Sequence, residues 1–226
     1  MIYDITPPIC ESLAVWPGDT RPSREIRSEM EKGARVTAST LHATVHLGAH
    51  ADAPSHYGVG APSIDKMSLD HYLGPCQVAR VEVPCGSCIT LNHWRRRVPT
   101  GGERSAGRSI LAERVLFATG TCPDPSVFNE DFAGLSVELI DHLHEGGVRL
   151  VGIDTPSVDL FSSAELPVHR RCLEYGMAIL EGLVLGGGPR PVPEGVYELI
   201  ALPLKLVGFD GSPVRAVLRG MSNAEC

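Results

Sequence analysis

His46-Leu47-Gly48-Ala49-His50-Ala51-Asp52-Ala53-Pro54-Ser55-His56-Tyr57 places three histidines and one aspartate within eleven residues, among Gly, Ala, Ser and Pro. All four polar groups fall on even positions, so an extended chain turns them to one side. A continuous strand does not suffice for a shared ion. Four residues at about 3.3 Å each would separate His46 from His50 by roughly 13 Å, whereas zinc takes its ligands at about 2.0–2.1 Å. The backbone must bend between the two histidines, and Gly48 permits the unusual dihedrals that a bend needs. Pro54 is expected to stop a regular strand or helix downstream, and with Gly48 it argues against a helix through the stretch. Imidazole and carboxylate are usual ligands for zinc and similar divalent ions, and the small neighbours leave room for an ion and a substrate. A histidine-rich turn without metal is the alternative reading.

Outward from this stretch, short aliphatic or β-branched runs recur between Gly, Pro and polar clusters: Ile2–Ile5, Val36–Val45, Val78–Val83, Val115–Ala118, Val148–Ile153, Ala178–Leu185, Tyr197–Leu202 and Val214–Leu218. Each is expected to be a strand. Helical patterns are fewer. Ser136–Glu145 has Ser136 as N-cap, an apolar face at 139, 140 and 143, and Gly146-Gly147 as its stop. A second short helix is expected at about Val168–Tyr175, before Gly176 and a strand carrying Glu181. Strands outnumber helices, which predicts a sheet-dominated α/β or α+β domain. Residues 95–107, rich in Arg and Gly, and 186–195, rich in Gly and Pro, read as solvated loop excursions.

The 226 residues carry 20 Lys plus Arg against 27 Asp plus Glu, a formal charge of −7, with 43% hydrophobic residues. One domain over residues 1–226 is expected, long enough to bury a core without disulfides. The acidic balance argues against nucleic acid as a partner. No run reaches the roughly 18 apolar residues of a membrane helix, and the start has no secretory pattern. Seven scattered cysteines do not make a secreted disulfide framework, so a reducing cytoplasm is the expected compartment. Cys85-Gly86-Ser87-Cys88 has the spacing of a redox pair or half a zinc site, against incidental thiols at a strand end.

The His-x-Gly-Ala-His-x-Asp-x-Pro-x-His pattern of His46 to His56 resembles the signature of the cyclase-like metal-dependent hydrolases, usually written with Thr where Ala49 stands. Within them the chain is similar to the bacterial kynurenine formamidases (arylformamidases). Further segments share the likeness: Val15–Thr20, His71–Cys76, Gly152–Ser157, Ala178–Gly182 and Tyr197–Pro203. The resemblance implies a single β-rich α/β domain of the swivelling β/β/α (cyclase-like) type, and a homodimer. It implies two zinc ions per subunit, with manganese or another divalent ion also accepted by such ligands. His46, His50 and Asp52 would hold one ion; Asp52 would bridge to a second ion held by His169 and Glu181. His56 would be the proton donor and acceptor, and Trp16 the aromatic that contacts substrate. Arg170 stands where relatives often have a second histidine after His169.

Without the resemblance, His169 is an ordinary helix histidine and Trp16 a surface or interface aromatic. Glu181 is a ligand candidate on physical grounds, because a carboxylate inside the hydrophobic run 177–185 is costly to bury without a metal or cationic partner. The activity implied is hydrolysis of N-formyl-L-kynurenine to L-kynurenine and formate in tryptophan degradation, by metal-activated water. No Gly-x-Ser-x-Gly elbow supports a serine route. The alternatives are a hydrolase of another small or cyclic amide, such as isatin, and a metal-dependent binding protein without turnover.

Overall fold

A computed structural model of the chain describes residues 1–96, 110–186 and 191–221. Its strands are β1 (Ile2–Asp4), β2 (Ser23–Ser28), β3 (Ala38–His42), β4 (His50–Asp52), β5 (Leu73–Arg80), β6 (Cys88–Ile89), β7 (Arg114–Ala118), β8 (Gly134–Leu135), β9 (Leu150–Ile153), β10 (Ala178–Glu181), β11 (Gly195–Ile200), β12 (Gly211–Pro213) and β13 (Val217–Gly220). Its α-helices are α1 (Pro54–Tyr57), α2 (Leu91–Arg96), α3 (Val137–Glu145) and α4 (Pro167–Tyr175). Nine strands form one sheet in the order β1-β13-β11-β5-β7-β9-β10-β4-β12. The central β5, β7, β9 and β10 run parallel, and antiparallel strands extend both ends.

Strands buried on both faces read as unbroken apolar runs, and every residue of β7, β9 and β10 is buried. Alternate side chains then enter two cores. Val115, Phe117, Val151, Ile153 and Ile179 meet Leu139, Ile140 and Leu143 of α3 and Val168 and Cys172 of α4. Leu116, Ala118, Leu150 and Leu180 pack on the opposite face with Ala51 of β4 and Leu218 of β13. Residues from near both ends of the strand order share that second cluster, so the sheet curls on itself. The result is a single mixed α/β domain of the β/β/α type. No helix of the described residues is long and apolar enough to cross a membrane.

The α3 boundaries match the capping signals. Ser136 Oγ accepts from Leu139 N at 3.3 Å, and Gly146 N returns to His142 O and Leu143 O. The second expected helix is α4, with Pro167 in its first turn. Other expectations are corrected. Pro54 does not simply terminate structure; it opens the helical turn α1, where its missing N–H is an orphan in any case. The strand expected at Val78–Val83 begins at Leu73, because Gly74 and Pro75 hide its start from a propensity reading. The one expected at Ala178–Leu185 ends at Glu181, where Gly182 turns at φ 64°. Of Val214–Leu218 only Val217 and Leu218 are strand, at the start of β13; residues 214–216 form the link from β12.

Val36–Val45 contributes only β3, which pairs with the unexpected β2 in a two-stranded ribbon outside the main sheet. Its partner, Ser23-Arg24-Glu25-Ile26-Arg27-Ser28, lacks the apolar alternation that marks a half-buried strand. Cys85 and Cys88 are free thiols at a turn and the start of β6, and neither joins a metal-ligating group among the described residues. Residues 97–107 of the first loop excursion and 187–190 of the second lie outside the described residues; the rest of the second is not wholly solvated, since Val192 is buried in the core and Gly195 opens β11.

Candidate metal centre and active site

The site forms where the parallel strands end, the edge at which α/β sheets commonly hold ligands. In β4, Ala51 enters the core while His50 and Asp52 turn to the other side, as strand alternation requires. Register brings Glu181 opposite His50, and Gly211 of β12 opposite Asp52. The expected bend is at Gly48, in the left-handed region at φ 54°. It rests directly on a second left-handed glycine: a Cβ on Gly182 would lie 2.1 Å from Gly48 O and 2.7 Å from Gly48 C. The missing Cβ of Gly182 allows these backbones to touch, a Cβ on Gly48 would instead meet Pro7 at 2.9 Å, and the contact sets His46 beside β10's end.

The remaining elements converge on this bend. A bridge between Val15 and Leu47 draws the Trp16 turn alongside. The turn α1 supplies His56, and the buried face of α4 supplies His169. Asp159 orients α4: its Oδ1 accepts from Val168 N at 3.1 Å and its Oδ2 from His169 N at 3.0 Å. It thus replaces the side-chain cap that Leu166, at the helix start, does not provide.

All five expected ligand residues come together. His46 Nδ1 lies 2.9 Å and His50 Nε2 3.4 Å from Asp52 Oδ1. His169 Nε2 lies 3.3 Å from Asp52 Oδ2 and 3.4 Å from Glu181 Oε1, and His50 Nε2 lies 3.5 Å from Glu181 Oε2. His46, Asp52 and His56, and separately His50, Asp52 and Glu181, offer ligand atoms all within 4.8 Å of one another. These groups cut across the two expected ligand sets, and Asp52 belongs to both. His56 therefore stands closer to the ligand cluster than its assigned proton role required.

Two features fit a divalent cation. Asp52 Oδ1 is buried and has no hydrogen-bond partner, although two imidazole nitrogens face it. A buried orphan oxygen in a native fold calls for a partner such as an ion. Each of the three imidazoles expected as ligands is also held from behind: His50 Nδ1 by Gly48 O at 2.9 Å, His169 Nδ1 by Asp159 Oδ2 at 2.7 Å, and His46 Nε2 by Asp210 Oδ2 at 3.3 Å. An acceptor on one nitrogen keeps the hydrogen there and leaves the other nitrogen's lone pair aimed at the centre. Asp159 and Asp210 were absent from the candidate residues. A carboxylate between Val158 and Leu160 was a usable signal for the first; the second sits in a turn-like Gly-Phe-Asp-Gly and gave none.

In the polypeptide alone the carboxylates keep protons on these rings. Burial pushes the His50 imidazole down, but contact with Asp52 and Glu181 outweighs it and raises the pKa to about 10. His46 and His169 also move upward, against burial, through Asp52 and through Asp159, respectively. Burial would lift Asp52, yet the three imidazoles hold its carboxyl well below the usual range. Glu181 is lowered as well: burial and the Asp52 charge oppose ionisation, and His169 and His50 overcome them.

The cluster opens into a cavity of about 660 Å³ whose wall includes Trp16, His46, His56, Arg80, Phe128 and Leu166. Cavities of some 300–1,000 Å³ suit small organic ligands. Trp16 is 36% exposed, with ring-to-ring distances of 5.5 Å to Phe128 and 5.0 Å to Phe161. It both packs an aromatic group and presents surface to the cavity.

A β/β/α sheet with buried His, Asp and Glu side chains converging at its cavity defines the cyclase-type hydrolases, and the chain belongs to this family: the sequence profile described as Putative cyclase matches residues 3–160. Over 221 residues, 98% of this chain and 92% of the relative, it is 40% identical to a protein named kynurenine formamidase from Polaromonas naphthalenivorans (strain CJ2). A solved structure described as a predicted metal-dependent hydrolase from Bacillus stearothermophilus is 29% identical, with a TM-score of 0.75 over 96% of this chain and 97% of the other. Isatin hydrolase A from Labrenzia aggregata shares the fold, with a TM-score of 0.76 at 22% identity over 98% and 94% of the two chains.

Proposed function

We propose that this protein hydrolyses N-formyl-L-kynurenine to L-kynurenine and formate, a step of tryptophan degradation. The observation that carries the reading is the buried convergence of three imidazoles and two carboxylates around the orphan Asp52 Oδ1, in a chain 40% identical to a kynurenine formamidase. His46, His50, Asp52, His169 and Glu181 would hold two zinc ions per subunit, with Asp52 common to both. Manganese or another divalent ion is compatible with the same donors. When bound, such ions supply an acidified water and polarise the formyl oxygen.

The chain's own residues do the rest. His56, at the cavity wall, takes a proton as water adds to the formyl carbon. It returns that proton to the aniline nitrogen as the C–N bond breaks. Trp16 stacks on the aryl ring, a contact worth about 0.5–1.5 kcal/mol beyond burial. Arg80 is the one Lys or Arg among the described residues of the wall, and it supports a substrate with a carboxylate at its far end. The chain acts as one domain over residues 1–226 and pairs as a homodimer. The exposed β2–β3 ribbon supports the pairing, with Ile26 46% and Leu41 59% exposed, because an isolated two-stranded ribbon is marginal in water.

The test is release of formate from N-formyl-L-kynurenine before and after chelation, with metal analysis of the same samples and isatin assayed alongside. Activity on formylkynurenine that is lost with the metal supports the proposal. Faster turnover of isatin transfers it to cyclic amides, and bound metal without turnover of either reduces it to a binding protein.

A further inference from the structure

Asp210 is 164 residues from His46 in sequence, yet its carboxylate reaches the rings of two site histidines. The edge strand β12 makes this possible. With Gly211 opposite Asp52, and Ala53 N donating to Asp210 O at 2.9 Å, Asp210 is set where β4 runs into α1. The approach leaves no room for a side chain at the next position: a Cβ on Gly211 would lie 2.8 Å from His46 Cε1. Asp210 Oδ2 then lies 3.3 Å from His46 Nε2 and 3.5 Å from His56 Nδ1. The two rings are themselves in contact, with centroids 4.1 Å apart and planes inclined by 35°.

Each contact has a consequence for the hydrogen positions. His46 turns Nδ1 toward Asp52, so the atom it offers Asp210 is Nε2–H. That hydrogen bond holds the carboxylate in place. The nitrogen of His56 that faces the same oxygen is Nδ1, and an anionic acceptor favours the hydrogen on the nitrogen it faces. We infer that Asp210 is a positioning residue that fixes His56 as its Nδ1–H tautomer, leaving Nε2 as the nitrogen that exchanges protons with substrate. Nε2 accepts a proton as the water oxygen bonds to the formyl carbon. It then gives the proton to the aniline nitrogen as the C–N bond breaks, so the step adds one water and needs no other reactant. The kinetic consequence rests on the formamidase reading; the tautomer does not.

The experiment uses full-length, metal-loaded protein and the variants Asp210→Asn, Asp210→Glu, His56→Ala and the double variant Asp210→Asn with His56→Ala. Metal per chain, kcat and KM on N-formyl-L-kynurenine, and long-range proton–nitrogen NMR of the histidine rings are measured. Expected are an Nδ1–H signature for His56 in the parent and a shift toward the other tautomer in Asp210→Asn, with metal retained. Asp210→Asn should lower kcat by about 10–100-fold, the range for partners that orient a site imidazole, with KM within about twofold. Asp210→Glu should recover part of the loss. In the His56→Ala background, compared at equal metal content, Asp210→Asn should add much less loss than it causes alone, its remaining contact being with His46 Nε2. An unchanged His56 tautomer in Asp210→Asn overturns the inference, as does an equal extra loss in the His56→Ala background. A parent protein inactive on the formamide refutes the proposed function, and the NMR comparison then decides the role of Asp210 alone.

Discussion

Replacing Gly182 by alanine should damage the fold and the metal centre together, and a second glycine provides the control. Gly182 and Gly176 have nearly the same left-handed φ, 64° and 62°, but a Cβ on Gly176 meets nothing within 4 Å. Gly176→Ala therefore isolates the cost of a left-handed alanine, about 1–2 kcal/mol. A Cβ on Gly182 lies 2.1 Å from Gly48 O, whereas ordinary Cβ contacts are 3.4–4 Å. The two bends must separate by roughly 1 Å, and overpacking of this kind adds about 1–3 kcal/mol. The expected destabilisation is thus about 2–5 kcal/mol for Gly182→Ala against about 1–2 kcal/mol for Gly176→Ala. Because Gly182 follows Glu181, the same movement pulls its carboxylate from His50, now 3.5 Å away; misplacement by about 1 Å can cost some 10²-fold in rate. Urea denaturation of chelated protein gives the stabilities, and elemental analysis of loaded protein gives the metal. Equal destabilisation by the two variants, with full metal content in both, would refute the argument from backbone contact.

Asp52→Ala should lose more metal than His46→Ala or His50→Ala, because Asp52 alone belongs to both close ligand groups; undiminished metal content in Asp52→Ala would remove the bridging assignment. Trp16→Ala should raise KM for an aryl formamide more than for an alkyl one and also lower the melting temperature, given its contacts with Phe128 and Phe161. An unaltered aryl-to-alkyl ratio would make Trp16 structural only. Arg80→Ala should raise KM for N-formyl-L-kynurenine and leave that for formanilide, which has no carboxylate, unchanged; equal effects on both would dissociate Arg80 from the substrate's acid end. The pH dependence follows from His50, whose pKa rises from 6.5 to about 10 in the fold. Its protonated form stabilises the metal-free protein fully below about pH 6.5, and that contribution is lost as pH climbs through about 10. Metal-free protein should therefore lose denaturant resistance across this window, and loading near pH 8 should release protons. A flat metal-free profile, with no proton release in weakly buffered solution, would contradict the charge state assigned to the centre.

The sequence by itself determined the features that depend on local chemistry. The spacing of His46 and His50 demanded a bend, and only Gly48 between them could adopt a left-handed turn freely; the structure has it there. Ser136 and Gly146 bounded α3 because capping is decided within one helical turn. Glu181 stood out because a carboxylate in an apolar strand needs a partner, and the partners are His50, His169 and the donating backbone N–H of Val158. Tertiary structure alone decided what depends on register between distant strands. Nothing near Gly182 indicates that its backbone rests on Gly48. The ribbon pairs β3, which lies inside an expected strand, with β2, whose polar composition carries no periodic signal. Asp159 and Asp210 act through Oδ atoms aimed at rings 10 and 164 residues away in the chain. In sequence Asp159 shows only as a carboxylate between two apolar residues and Asp210 as an acid in a turn, because a hydrogen-bond acceptor acquires direction only once the strands and helices around it are packed.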